Sequence, residues 1–280
     1  MSRRDEYPAG VPCFVDTLTA DLDAAKTFYR GIFGWEFAGP GPMPGDPPGE
    51  YFVARVQGDD VAGVGTMPAQ GGGEIPPAWN THVAVDGADE AAARARAAGG
   101  SVLVEPFDAP PAGRMAVITD PAGGVLTVWE AGDRAGAARV NEHSAWAMSL
   151  LTTPDPGGAT AFYRELFGWE AEAFGPFWVF RLPGYVGGEA QQPVPRDVVA
   201  AMTASDQSPP TPAAWSVDFW IADADAAAAA APGLGGSVVA EPFDDAMFRR
   251  AMLAAPDGAA FAVSQPRYDV NQTATSTAPQ

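Results

Sequence analysis

The octapeptide FYRGIFGW (Phe28 to Trp35) returns further along the chain as FYRELFGW (Phe162 to Trp169). Recurrence over so long a period is the mark of a duplicated structural unit, and it constrains the fold more than any other feature of the sequence. Aligned on it, the two halves keep one order of signals. Asp21 falls on Asp155, GGSVLVEPFD (Gly99 to Asp108) on GGSVVAEPFD (Gly235 to Asp244), and GRMAVITDPAG (Gly113 to Gly123) on FRRAMLAAPDG (Phe248 to Gly258). A length of 280 residues suits two average domains, each able to bury a core of its own.

Within the first half, PCFVDTLT alternates in polarity and predicts a strand. DLDAAKTFYRGIFG then carries Leu22, Ala25, Phe28, Tyr29 and Ile32 at helical spacing, with Asp21 as N-cap and Gly34 as stop. Three strands follow, around WEFAG, YFVARVQG and VAGVGTMP. The pattern then restarts with strand WNTHVAV, helix DEAAARARAAG and strand SVLVEP, and it ends in the pair RMAVITD and VLTVWEA joined by the turn PAGG. Each module is thus βαβββ written twice, an α+β arrangement. The first module is expected over residues 9–133, a linker over 134–141, the second module over 142–268, and a polar disordered tail over 269–280. The octapeptide ends the first helix of each module, where its apolar stripe is expected to seal the helix onto a curved sheet.

Charge and composition exclude several classes. With 35 acidic and 16 basic residues the net charge is −19, which repels nucleic acid and anionic membranes. No apolar run approaches the roughly 20 residues needed to span a bilayer, and the basic start is not followed by an apolar segment. The single cysteine, Cys13, rules out an intrachain disulfide and fits a reducing cytoplasm.

The two βαβββ units per module, the run from Asp21 to Trp35 after the first strand, PPAWNTHVAVD (Pro76 to Asp86) and the DPAG turn together resemble the vicinal oxygen chelate superfamily, also called the glyoxalase/bleomycin resistance/dioxygenase fold. The likeness runs from about Val11 to Val263. It implies tandem βαβββ modules forming two cupped half-open barrels. Functions on this fold include lyases, isomerases, dioxygenases, thiol transferases and proteins that sequester drugs.

Metal-dependent members place ligands on the first, fifth and last strands, because an ion that polarises a substrate oxygen needs several N or O donors aimed into one cavity. Carried onto this chain, those positions hold Phe14, Asn80 and Thr127 in the first module and Met148, Ser216 and Ala262 in the second. No metal and no other cofactor is expected. The same parity turns Phe14, Asp16 and Leu18 into the first cup. His82 joins Asn80 on the fifth strand, and its counterpart in the second module is Asp218.

Asp16, its pKa raised by desolvation, and His82 form the candidate acid/base pair. Pairing of Asp16 with Arg55 or Arg114 at the cup rim is the alternative. The candidate ligand-binding residues are Phe14, Asn80, Thr127, Met148, Leu150, Ser216, Asp218 and Trp220, with Trp220 and Met148 giving the second cup an aromatic, sulfur-lined wall. Arg114 and Arg249 are expected to bridge to Glu105 and Glu241.

The leading expectation is a metal-independent protein that binds a small hydrophobic or aromatic molecule. A metal-free isomerase, lyase or cyclase acting on a secondary metabolite through Asp16 and His82 is the alternative, a pseudo-enzyme whose modules serve in protein association a third reading, and a metal-dependent glyoxalase or dioxygenase the last, needing ligands from residues outside the aligned positions. The modules pair within one chain or between two chains of a homodimer.

Overall fold

The computed structural model describes residues 3–43, 48–68, 76–187, 196–206 and 211–267, so the expected tail lies outside the described residues. The first module runs β1 (Pro12–Thr19), α1 (Leu22–Phe33), β2 (Glu36–Met43), β3 (Gly49–Val56), β4 (Asp59–Thr66), β5 (Trp79–Ala84), α2 (Ala88–Ala97), β6 (Ser101–Ala109), β7 (Gly113–Thr119) and β8 (Val125–Ala131). The second repeats it with β9 (Trp146–Thr153), α3 (Pro156–Phe167), β10 (Glu170–Phe174), β11 (Phe177–Arg181), β12 (Val198–Ala204), β13 (Ala214–Trp220), α4 (Ala224–Ala230), β14 (Ser237–Asp244), β15 (Phe248–Ala254) and β16 (Ala260–Pro266).

Each module forms one eight-stranded sheet, ordered β2-β3-β4-β1-β5-β8-β7-β6 and β10-β11-β12-β9-β13-β16-β15-β14. The first strands of the two βαβββ units meet antiparallel at the centre, β1 on β5 and β9 on β13. The helix signals act as expected. Asp21 and Asp155 accept hydrogen bonds from the amides of Ala24 and Gly158, and Gly34 and Gly168 end their helices at φ 70° and 75°, where a side chain would be strained.

The two larger cores correct one expectation, because each is built from both modules rather than within one. Phe28, Tyr29, Phe33 and Trp35 from α1 and its exit pack with Val217, Phe219, Phe261 and Val263 of the second module. Phe162, Tyr163, Phe167 and Trp169 pack with Val83, Ile118, Leu126 and Val128 of the first. The octapeptide seals each helix across to the other module.

Two repeated glycines make this close approach possible. A Cβ on Gly100 would stand 2.7 Å from the Phe162 ring, and one on Gly236 would collide with the Phe28 ring in the same way. The octapeptide tryptophans lock the exchange, because Trp35 Nε1 donates to the Ser144 carbonyl and Trp169 Nε1 to the Gly10 carbonyl, both at 2.7 Å. The two repeated motifs, FYR-x-x-FGW and GGSV, are halves of one joint. The connection between modules is part of the packing too, since Ala137 and Ala138 are buried and donate from their amides to Cys13 O and Asp60 O.

The surface arginines also differ from expectation. Arg114 bridges Asp89 and Asp108, and Arg249 bridges Asp225 and Asp244, while Glu105 pairs with Arg96. Both arginines join the start of a crossover helix to the neighbouring edge strand. These exposed pairs add little stability.

Candidate functional site

Strand parity sets the inner face of each sheet. In the first, Phe14 stands across from His82 and Asp16 across from Asn80 on β5, while His82 neighbours Thr127 on β8. Asp16 is 7% exposed and His82 4%, so this floor is nearly closed to water. The closure comes from the cup's own side chains, as Phe14, Trp129, Tyr51 and Met115 cluster over it.

Asp16 is the hub. Its Oδ2 accepts from Tyr51 Oη (2.9 Å) and its Oδ1 from Asn80 Nδ2 (3.1 Å). His82 Nε2 lies 3.2 Å from the same Oδ1 but off the hydrogen-bond line, and it has no other partner. The sequence-expected pair of Asp16 and His82 does come together. The rim pairing does not form, because Arg55 is engaged by Asp60.

Burial alone would raise the Asp16 pKa, as expected from the sequence. The neighbouring His82 ring and the hydrogen bonds from Asn80 and Tyr51 outweigh it and hold the carboxyl below its ordinary 3.8. The expected upward shift is thus reversed. Tyr51 moves the other way, pushed well above 10 by burial and by the Asp16 carboxylate, so it stays a donor.

Tyr51 is the residue that sequence reasoning missed. It lies over Gly63 and Gly65 of β4. A Cβ on Gly63 would fall on the phenol oxygen, and one on Gly65 would stand 2.8 Å from the ring. The signal was present as the alternation Gly63-Val64-Gly65, which leaves a trough on one face of the strand.

A carboxyl whose folded pKa is lowered adds stability above its unfolded pKa and loses that stability as pH falls through the folded value. Asp16→Asn is therefore expected to cost about 1–3 kcal/mol near neutral pH. That gap should shrink below about pH 4, where the wild-type carboxylate also protonates. Urea unfolding of both proteins across this range checks it, and a gap independent of pH would contradict the assignment.

The second cup is built differently at every matching position. Met148 replaces Phe14, Leu150 replaces Asp16, Ser216 replaces Asn80, Asp218 replaces His82 and Ser264 replaces Trp129. Ala201 and Thr203 stand where Gly63 and Gly65 make the trough, and Phe177 stands in register with Tyr51. The Phe14 ring and the Trp129 indole of the first cup have no aromatic counterpart at Met148 and Ser264, and Met148, Leu150, Ser216 and Trp220 are only half-buried. Ser216 Oγ donates to the Leu150 carbonyl (3.3 Å), and Trp220 packs against Phe248 with ring centroids 6.2 Å apart.

Asp218 is buried in this cup's floor. Its Oδ2 accepts from Ser264 Oγ and Arg250 Nη1, both at 2.7 Å, while Oδ1 is buried without a partner. Burial raises its pKa above 3.8, and the Arg250 charge only partly opposes this. An orphaned, buried carboxylate oxygen is costly unless something else donates to it.

The donor set does not fit a divalent ion. Among the described residues no three His, Cys, Asp or Glu side chains converge. Phe14, Thr127, Met148 and Ala262 offer an ion little or nothing, Asp16 is already held by Tyr51 and Asn80, and Asp218 faces the guanidinium of Arg250.

Comparison with known proteins agrees with this architecture. The family model of the glyoxalase/bleomycin resistance protein/dioxygenase superfamily matches residues 15–128, and that of the glyoxalase-like domain matches residues 148–264. The chain is 37% identical over 273 residues to "Putative glyoxylase CFP32" of Mycobacterium tuberculosis, covering 95% of this chain and 98% of that protein. It is 31% identical to the anthracycline biosynthesis protein DnrV of Streptomyces peucetius, covering 93% and 95%. Among solved structures, the Mn(II)-bound glyoxalase of Novosphingobium aromaticivorans superposes with a TM-score of 0.60 at 18% identity, covering 95% of this chain and 83% of that one, which is a likeness of fold. Duplicated βαβββ units, two matching domain models in tandem and relatives aligned end to end lead to one conclusion: the chain belongs to the glyoxalase/bleomycin resistance protein/dioxygenase superfamily, as a two-module member.

Proposed function

We propose that this protein binds a small, flat, hydroxyl-bearing aromatic molecule in its second cup without a metal ion. The observation that carries the reading is Asp218 Oδ1, a buried acceptor with no partner in a cup whose half-buried lining includes Met148, Leu150 and Trp220. A ligand hydroxyl would satisfy that oxygen, while Met148, Leu150 and Trp220 supply the adaptable and aromatic surfaces that suit a planar ring system. The relatives named for anthracycline biosynthesis support the same chemical class, since anthracyclines are polycyclic hydroxylated aromatics.

The test is titration with a hydroxyanthraquinone and with anthraquinone lacking the hydroxyl, alongside metal analysis and native mass spectrometry of the purified protein. The hydroxylated probe should bind roughly 10-fold or more tightly, because a buried acceptor left unpaired costs more than 1 kcal/mol. Equal binding of both probes, or a stoichiometric divalent ion, would overturn the reading.

The 3.2 Å approach of His82 to Asp16 favours one second reading, a metal-free isomerase, lyase or cyclase acting through the first cup. There Asp16 would be an ionised acceptor and Tyr51 the proton-bearing group above it. Turnover of a probe that is lost in both Asp16→Asn and His82→Ala would move the function to that cup.

A further inference from the structure

At the end of β9 nearest the N-terminal segment, a cavity of about 50 Å³ lies between the modules, lined by Arg4, Tyr7, Trp146, Met148, Tyr185 and Arg196 among others. Its polar lining is rich in donors. Trp146 is 5% exposed, and its indole Nε1, which can only donate, has no hydrogen-bond partner. Arg4 Nη1 donates to Tyr185 Oη (2.7 Å), and the guanidinium lies over the Tyr7 ring at 5.5 Å. No carboxylate among the described residues pairs with Arg4, although the chain carries 35 acidic residues and most of its other arginines are so paired. Because Tyr185 Oη accepts from Arg4, its own hydroxyl proton is directed elsewhere. Arg196 Nε donates to the Gly187 carbonyl (3.2 Å).

A cavity of this size holds a few atoms, since one water takes roughly 10–15 Å³ by this measure. It is too small for an aromatic ring system but suits the head group of a molecule whose body lies elsewhere. Met148 shows where. It lines this cavity, and it also stands directly across from Asp218 in the β9–β13 register. The donor-rich cavity and the orphaned Asp218 acceptor therefore flank one methionine of the second cup.

We propose that the ligand of the second cup is an aromatic acid, its carboxylate seated among Trp146 Nε1, Arg4 and Tyr185 while its ring extends past Met148. This rests on the second cup being the ligand site. A planar carboxylate matches a guanidinium fork, and an indole N–H and a phenol O–H can complete its four lone-pair sites.

The experiment compares a hydroxynaphthoate with the corresponding hydroxynaphthamide by calorimetry, on wild type, Arg4→Gln and Tyr185→Phe. Wild type should prefer the acid by about 10-fold or more, Arg4→Gln should abolish most of that preference, and Tyr185→Phe should reduce it several-fold. Quenching of indole fluorescence should accompany binding of the acid and be weaker for the amide. Equal affinity for acid and amide, with Arg4→Gln unchanged, would overturn this inference and leave the second cup as the ligand site. Failure of both probes to bind would overturn the inference together with the reading beneath it.

Discussion

Replacing Phe28 or Phe162 with alanine is expected to destabilise the protein by about 3–5 kcal/mol, at the upper end for a core aromatic. Both rings are fully buried, and each rests on a glycine of the opposite module, Phe28 on Gly236 and Phe162 on Gly100. Truncation removes the transfer free energy of the ring and leaves a cavity that neither helix can follow inward, because Trp35 and Trp169 pin the helix exits to Ser144 and Gly10. The joint also dictates how the loss is felt. Since each of the two larger cores draws on both modules, Phe28→Ala should accelerate hydrogen exchange in β16 and β13 as much as in α1. Equilibrium unfolding should remain one transition in circular dichroism and fluorescence. Loss of protection confined to the first module would contradict the shared-core arrangement.

The contrast between what the chain discloses and what it conceals follows from the same joint. Periodicity and capping residues mark the order of strands and helices because those signals are local, as at Asp21 and Gly34 or Asp155 and Gly168. Duplication marks the two modules. What periodicity cannot reveal is the partner of a buried face. The stripe of Phe28, Tyr29 and Phe33 would look the same packed on its own sheet or on its neighbour's, and only the Gly100 and Gly236 wells distinguish the two.

The site divides along similar lines. Asp16, Asn80 and His82 could be brought to one face by strand parity alone, and they meet there. Tyr51 could not, because its reach to Asp16 depends on how β3 registers on the two glycines of β4. The direction of the Asp16 pKa shift was misread for that reason: burial is visible in a sequence, whereas the donors that overcome it belong to the assembled cup.

Leu150→Trp is expected to lower the affinity for a hydroxyanthraquinone by roughly 100-fold, close to 2.7 kcal/mol, while changing stability by less than about 1 kcal/mol. Leu150 is half-buried, sits across from Ser216 and beside Ala201, and lies outside the buried cores, so a larger side chain there displaces little core packing. The first cup already carries bulk at the matching places, where Phe14 and Trp129 stand in the positions of Met148 and Ser264. Tyr51→Phe, which removes only the hydroxyl donated to Asp16, should leave that affinity unchanged. The two variants together assign the function to a cup. Affinity lost in Leu150→Trp and kept in Tyr51→Phe places the ligand against Met148, Ser216 and Asp218. The opposite pattern would place it over Asp16 and His82, where proton transfer, rather than retention of an unchanged ligand, would be the chemistry to measure.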